Sequence, residues 1–171
     1  IHDMTLWLYP EYHYFKRLIS MRPLIPLAAR RANAIITVSH SAKNDIVNIL
    51  RIPQHKVHVI YEAPSADFRA LPGDAALASV RAAYHLPEKF ILFVGTLEPR
   101  KNLVRLLRAF AQLRQNGYVS HHLVIVGSEG WKTQQVHRTI AALQLQEVVH
   151  RLGYVPRSDL IALFNLADVL S

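Results

Sequence analysis

The sequence predicts an α/β fold of doubly wound parallel sheets, laid out as parts of two units. Short apolar runs alternate with stretches whose apolar positions recur at helical spacing. Gly, Pro and Asn turns join them. The alternation stops over 62–75, where "EAPSADFRALPGDA" brings two prolines, a glycine and small polar residues, and then resumes. Such a break reads as a crossover between two α/β units.

Residues 12–31, "YHYFKRLISMRPLIPLAARR", come first. Pro23 and Pro26 each remove a backbone donor and crowd the preceding turn, so a kinked helix packed into its unit is expected. A segment resting on an anionic bilayer is the alternative, because aromatic, aliphatic and basic residues are mixed there. "AIITV" (34–38) is a β-branched strand ending at "SHS", where Ser39 suits a helix cap. Residues 42–50 place Ile46, Ile49 and Leu50 on one helical face, and "VHVIY" (57–61) alternates as a strand does. Strand, helix and strand make a βαβ unit.

The second half repeats the pattern. "FILFVG" (90–95) is apolar throughout, as a parallel strand covered on both faces must be. A helix over 102–115 carries a stripe of Leu103, Leu106, Leu107, Phe110 and Leu113, and Asn116-Gly117 stops it. "HLVIVG" (122–127), a helix over 133–144, "VVHRLGY" (148–154) and a helix over 158–166 follow. "ADVLS" opens a fourth strand, also expected to be buried.

Arg100 and Lys101 stand at the entrance of the 102–115 helix, where the backbone's partial positive charge disfavours cations by about 0.3–1 kcal/mol. A charge-assisted hydrogen bond to an anion is worth about 1.5–3 kcal/mol, so a bound anion would reverse the balance. In open α/β sheets ligands sit at the carboxyl ends of strands, and helix N-termini accept phosphates. Gly95 marks such an end. A solvated charged turn is the alternative reading of the same residues.

Twenty Lys plus Arg against twelve Asp plus Glu give a net charge of +8, which suits an anionic partner. The cations are scattered and no nucleic-acid motif accompanies them, so a nucleic-acid partner is not expected. Without cysteine there is neither a disulfide nor a thiolate metal site. "GSEGWKT" (127–133) fails the phosphate-loop pattern, which needs four residues between its glycines and an adjacent Gly-Lys. No G-x-S-x-G elbow accompanies Ser39-His40-Ser41. His55/His58 and His121/His122 lack companion ligands at metal spacing, so no metal is expected.

"VGTLEPRKNLVRLLRAF", "LVIVGSEGW" and "RLGYVPRSDLIALFNLADVLS" resemble successive segments of the C-terminal domain of retaining nucleotide-sugar glycosyltransferases, the group 1 (family 4) enzymes of GT-B fold. "IHDMTLWLYPEY" and "RANAIITVSHSAKNDIV" are similar to the latter part of their N-terminal domain. The likeness is strongest to the polysaccharide mannosyltransferase branch.

The resemblance implies a GT-B middle piece: 1–65 from the acceptor-side domain, 66–88 a crossover with a lead-in helix, and 89–171 from the donor domain. It implies hexose transfer, with mannose the suggested sugar, from a nucleoside-diphosphate sugar such as GDP-mannose to a glycan or lipid-linked acceptor, with retention. No cofactor is implied. Arg100 and Lys101 would hold the donor diphosphate with Gly95 permitting close approach, although many relatives have Arg where this chain has Thr96. Gly153, Tyr154 and Val155 would lie near the nucleotide base. His2 would contact the donor sugar across the cleft, and Asp3 would orient or cap. The implied location is cytoplasmic, at the inner face of the membrane if peripheral.

The family's Glu-x7-Glu motif is expected after the strand that starts at Val169, beyond Ser171, and its glycine-rich acceptor loop upstream of Ile1. The piece itself is therefore expected to be inactive alone. A non-catalytic nucleotide-binding module and another GT-B enzyme, such as an epimerase, are the rival readings.

Overall fold

The protein is described by a computed structural model over residues 1–71, 74–131 and 133–171. Pro72 and Gly73 of the expected crossover, and Lys132 of the "GSEGWKT" stretch, lie outside the described residues. The chain divides into two units, Ile1–Ser65 and Ala66–Ser171.

The first unit contains α1 (Thr5–Leu8), α2 (Phe15–Arg31), β1 (Ile35–Thr37), α3 (His40–Leu50) and β2 (Val57–Val59). β1 and β2 pair in parallel, with Ile35 opposite Val57. The Ser39 hydroxyl accepts the Ala42 N–H at 3.1 Å and caps α3. Ile46 and Leu50 from α3 meet Met4, Ala29, Ile35, Ile52 and Val57 in one core, with Ile49 at its edge.

As expected, the segment packs into the first unit, with Ala29 buried and Ile25 against the core. Pro23 and Pro26 both lie inside one 17-residue helix. The carbonyl left without a partner by Pro23 belongs to Ile19, on the exposed side, where water can satisfy it. Arg22 ties the middle of the helix to α1, donating from Nε and Nη2 to the Leu6 carbonyl at 3.0 and 2.8 Å. Ala29 is the buried residue of α2.

The second unit adds α4 (Asp74–Ala83), β3 (Phe90–Val94), α5 (Leu103–Gln115), β4 (His122–Val126), α6 (Gln134–Ala142), β5 (Val149–Gly153), α7 (Arg157–Leu166) and β6 (Val169–Leu170). Its parallel sheet has the order β5-β4-β3-β6. Alternate residues of the apolar strands serve opposite faces. Phe93, Leu123 and Ile125 pack with α5 and α6 residues, while Phe90, Leu92, Val124 and Val126 pack with Leu86, Val155 and Leu163.

One packing expectation is corrected. Leu113 is 41% exposed and Ala111 takes a core place instead. At 3.6 residues per turn Leu113 lies roughly a third of a turn from Leu107. β6 forms as expected and pairs in parallel with β3, Val169 opposite Ile91 and Leu170 opposite Leu92.

The order matters for function. β4 and β5 succeed β3 on one side, and β6 returns to its other side. The winding therefore reverses between β3 and β6, and the crevice at such a switch point opens at the carboxyl ends of the strands. At the opposite, amino edge the chain seals itself. The Asp168 carboxylate accepts the Phe90 N–H at 2.9 Å, and the Asp168 N–H donates to the Phe90 carbonyl at 3.1 Å. Arg114 donates to the His121 carbonyl at 2.7 Å. His122 Nδ1 and His150 Nε2 lie 2.7 Å apart in stacked rings.

Candidate functional site

Three glycines line the carboxyl edge, each at the end of a strand: Gly95 after β3, Gly127 after β4, and Gly153 closing β5. Backbone bonds knit the loops that follow. Gly95 N–H donates to Val126 O at 2.9 Å, Gly127 N–H to Gly153 O at 2.8 Å, Leu97 N–H to Ser128 O at 3.0 Å and Gly130 N–H to Leu97 O at 3.1 Å. A Cβ on Gly127, at φ +142°, would collide with the Gly95 carbonyl, and one on Gly130 would lie 2.5 Å from the Leu97 carbonyl. The glycines of "GSEG" therefore let two loops approach backbone to backbone. Sequence reasoning set that stretch aside as a failed phosphate loop and missed this role, whose signal was the pair of glycines themselves.

The β4–α6 loop is pinned from the side. Glu129 Oε1 lies 3.3 Å from Arg151 Nη1 and 3.4 Å from His137 Nε2, and Arg151 Nη1 donates to His137 Nδ1 at 2.9 Å. This grouping of loop, β5 and α6 was also missed, since the three residues are far apart in the chain.

Beyond Leu97 the chain makes a 3-10 turn, Pro99–Lys101, and Asn102 takes a left-handed conformation at φ 53° before α5 begins. Arg100 and Lys101 therefore occupy a separate turn and not the first turn of α5. The N-terminus of α5 has no side-chain cap and no acidic residue in its first turn. The Arg105 and Leu106 N–H groups both turn to the Asn102 carbonyl, and a helix start without a side-chain cap suits an anion.

The structure separates the two cations that the sequence treats alike. Arg100 Nη2 lies 2.6 Å from Glu98 Oε1, so its charge already has a carboxylate partner. Glu98 was overlooked, although it stands two residues upstream in "LEPRK". The Lys101 stem passes over Gly95, where an added Cβ would meet Lys101 Cε at 3.6 Å. Gly95 and Lys101 are thus brought together at the switch point.

Of the three residues expected near a base, Gly153 takes φ +71° with open space around it, and Tyr154 is 80% exposed. Val155 is buried beside Phe90 and Leu163, so its side chain belongs to the core. His2 belongs to the first unit, exposed, with Nδ1 3.3 Å from Glu62 Oε1. Asp3 Oδ1 accepts the N–H and hydroxyl of Thr5 at 2.9 and 2.5 Å, which makes it a cap for α1. Among the described residues no group of three or more His, Cys, Asp or Glu could hold a metal. Among them, too, no helix is long and apolar enough to cross a membrane.

The profile of the glycosyl transferases group 1 family matches residues 81–171, which contain this whole edge. The chain belongs to the group 1 glycosyl transferases. This group 1 chain is 29% identical over 168 residues to O-antigen chain mannosyltransferase B of Escherichia coli, covering 97% of this chain and 44% of that protein. It is 34% identical over 131 residues to a Campylobacter jejuni N-acetylgalactosamine-N,N'-diacetylbacillosaminyl-diphospho-undecaprenol 4-alpha-N-acetylgalactosaminyltransferase, covering 77% and 33% of the two chains.

Among solved structures, Anabaena HepE in complex with UDP-glucose aligns with a TM-score of 0.76 at 22% identity, over 99% of this chain and 44% of that one. WaaG, a glycosyltransferase involved in lipopolysaccharide biosynthesis, aligns at 0.70 with 17% identity, over 99% and 47%. The fold is of the GT-B type. The chain spans less than half the length of these relatives.

Proposed function

We propose that this group 1 chain is part of a retaining glycosyltransferase that moves mannose from GDP-mannose, or another hexose from a like donor, to a glycan or lipid-linked acceptor in the cytoplasm. The observation that carries the reading is the Lys101 side chain lying over Gly95 beside the uncapped start of α5. The mannosyltransferase relatives support the choice of sugar.

In this reading the donor diphosphate sits on Gly95 and the α5 N-terminus, with Lys101 against its charge. Glu98 engages one of the five N–H donors of Arg100 and leaves the others for phosphate oxygens. As the glycosidic bond breaks, negative charge grows on the leaving diphosphate, and these preplaced donors stabilise it where it develops. Gly153 and Tyr154 border the base. His2 touches the donor sugar, and the acceptor hydroxyl attacks the anomeric carbon from the face the leaving group vacates, giving its proton to the departing diphosphate oxygen.

The test is transfer by the full-length parent from GDP-mannose to a glycan or polyprenyl-diphosphate-linked acceptor, with the anomer read by NMR. The expected product is the α-mannoside. Sugar epimerised without acceptor, or nucleotide bound without any transfer, would replace this reading with one of its rivals.

A further inference from the structure

The turn that carries Arg100 and Lys101 leans on a loop from another part of the chain. Both backbone groups of buried Leu97 bond to that loop: its N–H donates to the Ser128 carbonyl at 3.0 Å, and its carbonyl accepts the Gly130 N–H at 3.1 Å. Glu98, the next residue, then sets the turn. Its carbonyl accepts the Lys101 N–H at 3.0 Å, and its carboxylate accepts from Arg100 Nη2 at 2.6 Å. Both cations therefore stand where residues 128–130 allow them to stand.

A loop with glycine at 127 and 130 does not hold one shape by itself, because glycine loses more conformational freedom on folding than any other residue. Something outside the loop must fix it. Glu129 Oε1 reaches Arg151 Nη1 at 3.3 Å and His137 Nε2 at 3.4 Å. Arginine only donates, so its 2.9 Å contact with His137 Nδ1 leaves the ring proton on Nε2, the nitrogen that meets Glu129. Arg151 stands where the strand pattern asks for an apolar residue: Val149, two positions earlier on the same face, is buried with α5 and α6 residues. β5 also carries one extra residue, Leu152, between the Ile125–Arg151 and Val126–Gly153 pairs. Such bulges re-aim side chains and gather next to active sites.

We propose that Arg151 and His137 are positioning residues for the donor diphosphate, acting through Glu129 and the backbone of 128–130 on the turn that presents Arg100 and Lys101. The role rests on the reading of this edge as the donor site. All three side chains are partly exposed, so their bonds add little to global stability. Their effect is on where the turn stands, and a small displacement of charged donors at a reacting group is felt in binding and rate.

The test is steady-state transfer from GDP-mannose by the full-length parent carrying Arg151→Met, Glu129→Gln or both. Each single change should raise the donor KM by about threefold to fivefold, the scale of one exposed ion pair, with acceptor KM and melting temperature unchanged. His137→Ala should raise it by roughly twofold. The double variant should be no worse than the more harmful single one, because both changes remove the same bond.

A parental donor KM in the single variants would overturn the proposal, as would losses that add in the double variant. So would donor and acceptor KM rising together with a lower melting temperature, which marks a loop that merely supports the fold. Lys101→Ala separates this role from the reaction: a loss there with none at Arg151 leaves the donor site standing and removes the positioning role. A parent that transfers no mannose removes the reaction instead, and calorimetric titration with GDP and UDP then decides. Weaker binding by Arg151→Met than by the parent supports the role, and equal binding or none overturns it.

Discussion

The two edges of the second unit's sheet end the same strands in opposite ways. At the amino edge Asp168, Arg114 and the His122–His150 pair bond to the backbone or to one another across strands. At the carboxyl edge the strand ends are glycines, the helix that follows β3 is uncapped, and Lys101 leans over one of the glycines. A buried polar group costs free energy unless it is bonded, so a fold seals an edge with its own side chains wherever nothing else will satisfy it. The carboxyl edge bonds its loops backbone to backbone across Gly127 and Gly130, and what it leaves for an outside partner is the uncapped start of α5 beside Gly95.

The largest effect expected comes from breaking that construction. Gly127→Ala should destabilise the protein by about 2–3 kcal/mol, since a Cβ there meets the Gly95 carbonyl backbone in a strained conformation. Denaturant unfolding measures this, and an unchanged midpoint would mean that the loops do not depend on close approach. Next, Lys101→Ala in the full-length enzyme should cost at least about tenfold in kcat/KM through the loss of a charge-assisted bond, with little change in stability. Unchanged kinetics would remove Lys101 from the site.

The amino edge should answer in the reverse sense. Asp168→Ala leaves the Phe90 N–H without its carboxylate and should cost about 1–2 kcal/mol of stability while donor KM stays put. A raised KM there would undo the division between the edges.

The smallest effect is on pH dependence. Burial first, then His150 and Arg114, holds the His122 pKa below the ordinary histidine value. The unfolded chain therefore takes up a proton, near pH 6.5, that the folded chain refuses. Stability is therefore full above that pH, where His122 is neutral in both states, and declines as pH falls through it. His122→Phe should flatten the acid side of a plot of melting temperature against pH; an unaltered slope would show that the pair does not report the edge's protonation.

Much of this was legible in the residues. The β-branched runs, the Ser39 cap, the Asn116-Gly117 stop and the apolar stripe of α5 follow from local rules, because each depends on neighbours within a few positions. Gly95 and Lys101 were legible as well, as a strand end and a cation close to it. Less legible was anything depending on what lies across space. Glu98 claims Arg100, Val155 turns inward, Leu113 turns outward, and the Glu129–Arg151–His137 group gathers from a loop, a strand and a helix. The Arg22 bond to the Leu6 carbonyl, 16 residues away, belongs with these.

By itself the sequence determined the order and kind of the elements, the break between the two units and the family, since periodicity, turn residues and short motifs are local properties of the chain. Tertiary structure alone decided the strand order that sets the switch point between β3 and β6. It also decided which cation is already paired, which sheet edge is sealed, and which face of α2 remains in solvent. Those outcomes depend on which distant groups share a small volume, and packing and charge settle that only once the chain has closed on itself.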